Sequence, residues 1–248
     1  MDKALWVAMS GAKNNMLAQS VAANNLANLN TTGFRADFVQ ARSMPVYYGS
    51  GDPTRAYAQS EIPATNFQQG AMIQTGRDLD VAVEGEGFIA VQAPDGNEAF
   101  TRVGSLYIDS VGILRTGSGL PVMGNGGPLA IPAAEKVEIA SDGTVTAIPL
   151  GLGAEGIVVV DRIRLVNPPA DQIEKSTDGL VRMKDPEQAV QADALVKLQS
   201  GFLEGSNVNA VNEMTSMLEL ARQYELQVKI MQNVKEQSES SARLLQMN

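Results

Sequence analysis

Four carboxylates crowd one short stretch of the chain: Asp78, Asp80, Glu84 and Glu86. Residues two apart on a strand share a face, so Asp78 falls beside Asp80, and Glu84 beside Glu86 if the strand continues. Paired carboxylates can divide general-acid and general-base work or hold a calcium ion. No loop-glycine spacing and no third ligand accompany them here, so a solvated strand face is the favoured reading. Gly85-Glu86-Gly87-Phe88-Ile89-Ala90 loosely matches a dinucleotide-binding fingerprint. That fingerprint needs a helix N-terminus for the pyrophosphate, whereas Phe88 to Val91 reads as another strand, and Glu86 would set a negative charge beside the phosphates. A tight β-turn is the better account. Cysteine and histidine are both absent. This removes disulfides, Cys or His metal sites, thiol nucleophiles, Ser-His-Asp triads and a histidine pH switch. No Walker A loop and no Gly-x-Ser-x-Gly elbow is present. The enzyme that composition leaves open is a hydrolase with two carboxylates about 5–10 Å apart in a cleft. Nothing calls for a cofactor or a metal.

A different chemistry sits in Asn24, Asn25 and Asn28, which fall within one helical turn. Asparagine is a poor helix former in an exposed interior. Its amide suits such a position when it hydrogen-bonds across a packed interface and fixes register. The competing reading is a frayed, polar helix end.

The elements that must carry these residues follow from the pattern of apolar positions. Leu5, Met9, Ala12, Met16, Gln19, Ala23 and Leu26 lie on 4-3 spacing, which predicts a helix over roughly residues 4–29 with a coiled-coil style seam. Thr31-Thr32-Gly33 is expected to end it. Residues 41–77 show no sustained period and contain prolines and a Gly-Ser-Gly run, so they read as an extended connector. Residues 78–200 read as an all-β domain. Leu79, Val81 and Val83 alternate with Asp78, Asp80 and Ala82, as in a half-buried strand. Short β-type runs follow at 88–91, 106–108, 137–139, 145–148, 157–160, 163–166 and 180–183. Turn signals separate them at Asp95-Gly96, Asp142-Gly143, Asp178-Gly179 and Gly124 to Pro128. After Asn207 a long helix is expected. Met214, Met217, Ala221, Tyr224, Val228, Met231, Lys235, Ser238, Ala242 and Leu245 follow strict 3-4 spacing, broken by Lys235 and Ser238. A helix of about 35 residues spans roughly 50 Å. The fold class is therefore α+β: a discontinuous coiled-coil-like bundle of N- and C-terminal helices (1–40 with 201–248) plus a central all-β domain. A lone helix of this kind is marginal in water. The termini are thus expected to order against neighbouring subunits, with a self-contained intramolecular pair as the alternative.

Charge divides along the same lines. The 248 residues are 44% hydrophobic and 19% charged with a net charge of −9; residues 1–40 carry +1, residues 204–248 carry −2, and the middle holds −8. An acidic chain is a poor phosphate tracker, so no nucleic-acid partner is expected. Residues 14–34 have no charge, but their asparagines, Gln19 and Ser20 are too polar for a membrane span. The apolar run Ala4 to Met9 is shorter than a secretory h-region and follows Asp2, so any export is expected without a recognisable cleaved signal.

The run Ala23-Asn24-Asn25-Leu26-Ala27-Asn28-Leu29-Asn30-Thr31-Thr32-Gly33-Phe34-Arg35 resembles the signature of the flagellar axial proteins, the rod and hook family. Asp78 to Phe88 resembles that family's entry into its central β-domain. Ala99-Phe-Thr-Arg-Val-Gly104 and Gly119-Leu-Pro-Val-Met-Gly124 resemble its later turns, and Leu203 to Val211 followed by Met214 resembles its C-terminal helix entry. The length is similar to that of a rod protein, since hook proteins usually carry an inserted domain. The run Ala221 to Lys229 with Met231-Gln232 looks more like a proximal-rod member than a distal-rod one, which tends to have alanine where Gln223 stands. The resemblance implies a structural subunit of the basal-body rod that polymerises helically in the periplasmic space and transmits motor torque to the hook. It implies export through the flagellar type III apparatus without signal cleavage, and as partners other copies of itself and neighbouring axial proteins. The expected assembly interface comprises Leu5, Met9, Ala12, Met16, Ala23, Leu26, Met214, Met217, Ala221, Tyr224, Val228, Met231 and Leu245 of the seams together with Asn24, Asn25, Asn28, Thr31, Gly33 and Phe34. The rival from another class is a two-partner coiled coil carrying an adhesive β-domain.

Overall fold

The computed structural model describes residues 2–47, 52–53, 55–60, 64–151, 156–185, 188 and 190–246. The chain forms an α+β structure of two compact units. The first, the helical unit, contains Met1–Asn28, Ala36–Asn66 and Val208–Asn248; the second, the β unit, contains Leu29–Arg35 and Phe67–Asn207.

Two helices pack together in the helical unit: α1 (Asp2–Ala27) and α2 (Ala210–Gln246). The face that α1 buries is built from small residues, Ala8, Ala12 and Ala22, together with Asn14 and Asn25. Short side chains let a neighbouring element approach closely. A Cβ added to Gly11 would stand 3.0 Å from the Gln227 side chain of α2. The asparagine-rich turn ends α1 at Ala27, ahead of the expected Thr31-Thr32-Gly33: Asn28 N donates to the carbonyls of Asn24 and Asn25, and its Nδ2 donates to the Asn24 carbonyl at 2.9 Å. At the start of α2 the Asn209 carboxamide oxygen accepts from Val211 N at 3.1 Å and Asn212 N at 3.2 Å. This is an N-cap, with Glu213 adding a favourable charge in the first turn. Part of the stretch without a legible period forms a hairpin, Ala41–Val46 against Arg55–Ser60, which packs on α1. Its pairing is set by the partner strand and by α1, so no local period announces it.

The β unit is wholly antiparallel in its sheets. A five-stranded sheet runs in the spatial order Leu165–Val166, Phe88–Gln92, Glu98–Thr101, Val181–Met183, Ile173–Lys175. A three-stranded sheet is formed by Ala134–Ile139, Thr144–Pro149 and Val158–Arg162. Val81–Glu84 pairs with Lys197–Ser200, and Met72–Gln74 with Phe202–Glu204. Ile89 and Val91 enter the main core with Val83, Leu106 and Leu114, while Phe88 and Ala90 enter a second cluster with Phe100, Val166 and Val181. Strand Phe88–Gln92 is thus apolar on both faces because both are covered. The same holds for Val81 to Val83, with Glu84 exposed at the strand's end. The expected half-buried strand is instead buried on both sides, since Ala82 is as inaccessible as Val81 and Val83.

Candidate assembly surface and its internal locks

The segment Gly85-Glu86-Gly87 is a turn between Val81–Glu84 and Phe88–Gln92, with φ of +74° at Gly85 and +121° at Gly87. Both values suit glycine, and no helix follows. Glu84 and Glu86 are exposed, but Asp80 is not: it is buried and lies 3.7 Å from Arg77 Nε. The solvated face expected for Asp80 is therefore corrected to a buried carboxylate next to an arginine. Among the described residues, no group of three or more acidic side chains could hold a metal ion. No described helix is long and apolar enough to cross a membrane.

The asparagine run divides between the two units. Asn25 is 2% exposed, and its amide locks three elements of the helical unit. Its Nδ2 donates to the Asp37 carbonyl at 2.7 Å and to Glu213 Oε1 of α2 at 3.2 Å, while its Oδ1 accepts from Asp37 N at 3.0 Å. Asp37 Oδ1 in turn accepts from Thr65 Oγ1 at 2.7 Å. Asn24 is exposed on the other side of the helix, and Asn28 serves the helix end. One asparagine of the three fixes the packing within the chain.

The helix seams divide between covered and exposed positions. On α1, Ala12 is buried and Leu26 half-buried, whereas Leu5, Met9, Met16 and Ala23 are exposed. On α2, Met217, Ala221, Tyr224, Val228 and Met231 are half-buried and Met214 is exposed; the Leu245 side chain lies outside the described residues. Further large apolar side chains stand exposed that 4-3 spacing passes over. They are Trp6, Val7 and Leu17 on α1 and Val211, Leu218, Leu226 and Ile230 on α2. A second helical wheel count would have flagged them, since both helices are apolar on more than one face. An apolar concavity of about 730 Å³ lies in the same unit, lined by Val7, Ala8 and Gly11 of α1, Ala56 and Tyr57 of the hairpin, and Ile230 of α2.

The end of the motif belongs to the β unit. Thr31 is exposed, while Gly33 and Phe34 are half-buried. Gly33 has φ +70°, and a Cβ there would meet the Arg102 carbonyl carbon at 2.5 Å. Its N–H donates to the Glu204 carbonyl at 2.8 Å. Phe34 stacks beneath the Lys175 ammonium at 4.0 Å, and Lys175 also donates to the Arg35 carbonyl at 2.7 Å. Arg35 itself is buried. Its Nη1 lies 2.5 Å from Glu204 Oε1, and Arg102 Nη1 lies 3.0 Å from Glu204 Oε2. Arg102 Nη2 donates to the Gly85 carbonyl at 2.8 Å, and Gly70 N donates to Glu204 Oε1 at 2.8 Å. Burial pushes the Arg102 guanidinium below its usual value, opposed chiefly by Glu204 and reinforced by Arg35. It stays protonated at any physiological pH. In the sequence Arg35, Arg102 and Glu204 stand in separate motifs. No local pattern brings them together.

Comparison with known proteins matches three family models in chain order: "Flagella basal body rod protein" over residues 5–35, "Flagellar hook protein FlgE/F/G D1 domain" over 82–147, and "Flagellar basal body rod FlgEFG protein C-terminal" over 199–244. The chain is 39% identical to the flagellar basal-body rod protein FlgF of Escherichia coli over 253 residues, covering 100% of both chains. It is 36% identical to the protein of the same name from Caulobacter vibrioides, covering 99% of this chain and 98% of the other. It is 31% identical to the flagellar basal-body rod protein FlgG of Bacillus subtilis, covering 93% and 94% respectively.

Proposed function

Because the chain belongs to the flagellar basal-body rod protein family and is a structural subunit of the flagellum, not an enzyme, we propose that its two terminal helices are the elements that build the rod. The basal body is its location, and other axial flagellar proteins are its partners. The observation that carries the reading is the set of large apolar side chains left exposed on both helices. Small residues face inward on α1, and Leu5, Met9, Met16 and Met214 remain outside, joined by Leu218 and Leu226. Each such side chain contributes about 1.5–3 kcal/mol when fully buried. Outward stripes on both helices therefore favour association with the helices of neighbouring subunits, in a coiled-coil-like layer that copies of this chain and its axial neighbours share. Non-closing contacts of this kind generate a helical tube, which transmits motor torque because many packed helices share the load. Assembly takes place in the periplasmic space after export through the flagellar type III apparatus without a cleaved signal. The seam residues of α2 from Met217 to Met231 hold the helix pair together inside each subunit. Asn25 sets its register.

Placement in the proximal rod is supported by the identity to relatives named FlgF, which spans the full chain at 36–39%. A distal-rod role is the second reading, supported by the relative named FlgG at 31%. Imaging basal bodies with this subunit labelled separates the two by position along the axis. The assembly reading itself is tested by Met16→Glu with Met214→Glu, two exposed positions. The variant chain is expected to keep its circular dichroism and thermal midpoint and to be absent from purified basal bodies. Normal motility with both charges in place would contradict the proposal.

A further inference from the structure

Arg35, Arg102 and Glu204 lie in three different family-matching segments, 5–35, 82–147 and 199–244. Arg35 closes the stretch that follows α1, and Glu204 stands in the strand that shortly precedes α2. Inside the β unit these two stretches are joined. Gly33 N donates to the Glu204 carbonyl at 2.8 Å, and Asn207 N donates to the Phe34 carbonyl at 3.4 Å. Two guanidiniums share the one carboxylate, and the Arg35 and Glu204 side chains are 3% and 0% exposed. Among the described residues Glu204 is the one ionic partner of Arg35, whose Nε and Nη2 find no hydrogen-bond acceptor.

A buried triad with an excess positive charge is a poor device for stability, since well-packed apolar replacements of buried ion triads are often neutral or stabilising. What it supplies is direction. Each carboxylate oxygen takes a different arginine, Oε1 also accepts from Gly70 N, and Arg102 is tied in turn to the Gly85 carbonyl. Each arginine has its carboxylate oxygen when the chain after α1 and the chain before α2 lie side by side, and a slipped arrangement would leave a charge buried and unpaired.

We propose that Glu204 and Arg35 are positioning residues for assembly: they form a clasp that holds the two chain stretches running to the helices in one fixed arrangement in the β unit. The proposal rests on the rod-subunit reading. A lattice of many copies requires each copy to present its helix connections alike.

The test separates direction from stability. In the full-length chain, Arg35→Met, Arg102→Met and Glu204→Leu are combined and expressed in cells lacking the native copy. The expected result is a thermal midpoint equal to or above that of the wild type, with at least a tenfold loss of the subunit from purified basal bodies. A folded triple variant at wild-type occupancy would overturn the clasp. Where the triple variant fails to fold, Arg35→Lys keeps the charge and loses the guanidinium fork. In that variant, amide exchange over residues 31–35 is expected to rise at least tenfold while strand Phe88–Gln92 stays protected. Unchanged exchange over 31–35 would overturn it equally. Absence of the wild-type chain itself from purified basal bodies is the distinct outcome that removes the rod reading, and the clasp with it.

Discussion

Asn25 shows what one amide can decide. It satisfies both the N–H and the carbonyl of Asp37 and reaches Glu213 on α2, so an alanine there leaves polar groups without partners in a covered site. Asn25→Ala is expected to destabilise the protein by about 2 kcal/mol, typical of losing such contacts from a buried site. Asn24→Ala, at the adjacent but exposed position, is expected to stay within about 0.5 kcal/mol of wild type. Urea denaturation of the two variants side by side measures the contrast. The sequence made all three asparagines equivalent candidates. Which of them turns inward depends on where Asp37 and Glu213 stand, and those are set by the strand and helix that carry them.

At the scale of elements, aspartates hold the turns of the β unit. Asp109 Oδ2 accepts from Arg115 Nε at 2.6 Å, and its Oδ1 accepts from Val111 N at 2.9 Å and Ile113 N at 2.8 Å. The Arg115 hydrogen bond, aided by these backbone N–H groups, holds the Asp109 carboxyl below its ordinary value. Backbone N–H groups do the same for Asp95, through Asn97, and for Asp142, through Thr144. A carboxyl depressed in the folded state stabilises above its unfolded value of about 3.9 and loses that contribution as pH falls through the folded one. Glu98 has the opposite sign, because burial raises it against the pull of Arg164. With no histidine in the chain, the thermal midpoint is expected to be level between about pH 6 and 8 and to fall below about pH 4. Asp109→Asn is expected to lower the midpoint at pH 7 and to make the acid fall shallower, read from melts across a pH series. The Asp-Gly turns were legible because an aspartate and a left-handed glycine are local signals. The pairing of Ala41–Val46 with Arg55–Ser60 was not, since these strands draw their order from each other and from α1.

For the whole molecule the two units differ in what holds them. The β unit closes two apolar clusters of its own, while α1 and α2 keep large apolar side chains exposed along their outer faces. Exposed backbone hydrogen bonds and sparse apolar cover mark the less stable part of a structure. Amide exchange in the isolated chain is therefore expected to be fast over residues 5–28 and 214–245 and slow over Phe88–Gln92 and Val81–Glu84. Exchange over the helices is expected to slow in assembled rods. Strong protection of both helices in the dilute isolated chain would place their order in the subunit itself. The acidic character of the middle of the sequence fits this division, because the net −8 falls on a unit that needs no neighbour to complete its core.

The sequence alone determined the order of elements, helix then β region then long helix, because apolar periodicity and turn residues are local and each element obeys its own. It determined the family too, since the asparagine motif and the segments resembling later turns are contiguous runs. It also removed thiol and imidazole chemistry by composition. Only the tertiary structure decided that Asp80 is buried, that Val81 to Val83 are covered on both faces, that α1 turns Ala8, Ala12 and Ala22 inward, and that Arg35, Arg102 and Glu204 meet. Each of these depends on what arrives from far along the chain. A carboxylate's surroundings, the second face of a strand and the partner of an arginine are long-range facts, and a one-dimensional period carries no information about them.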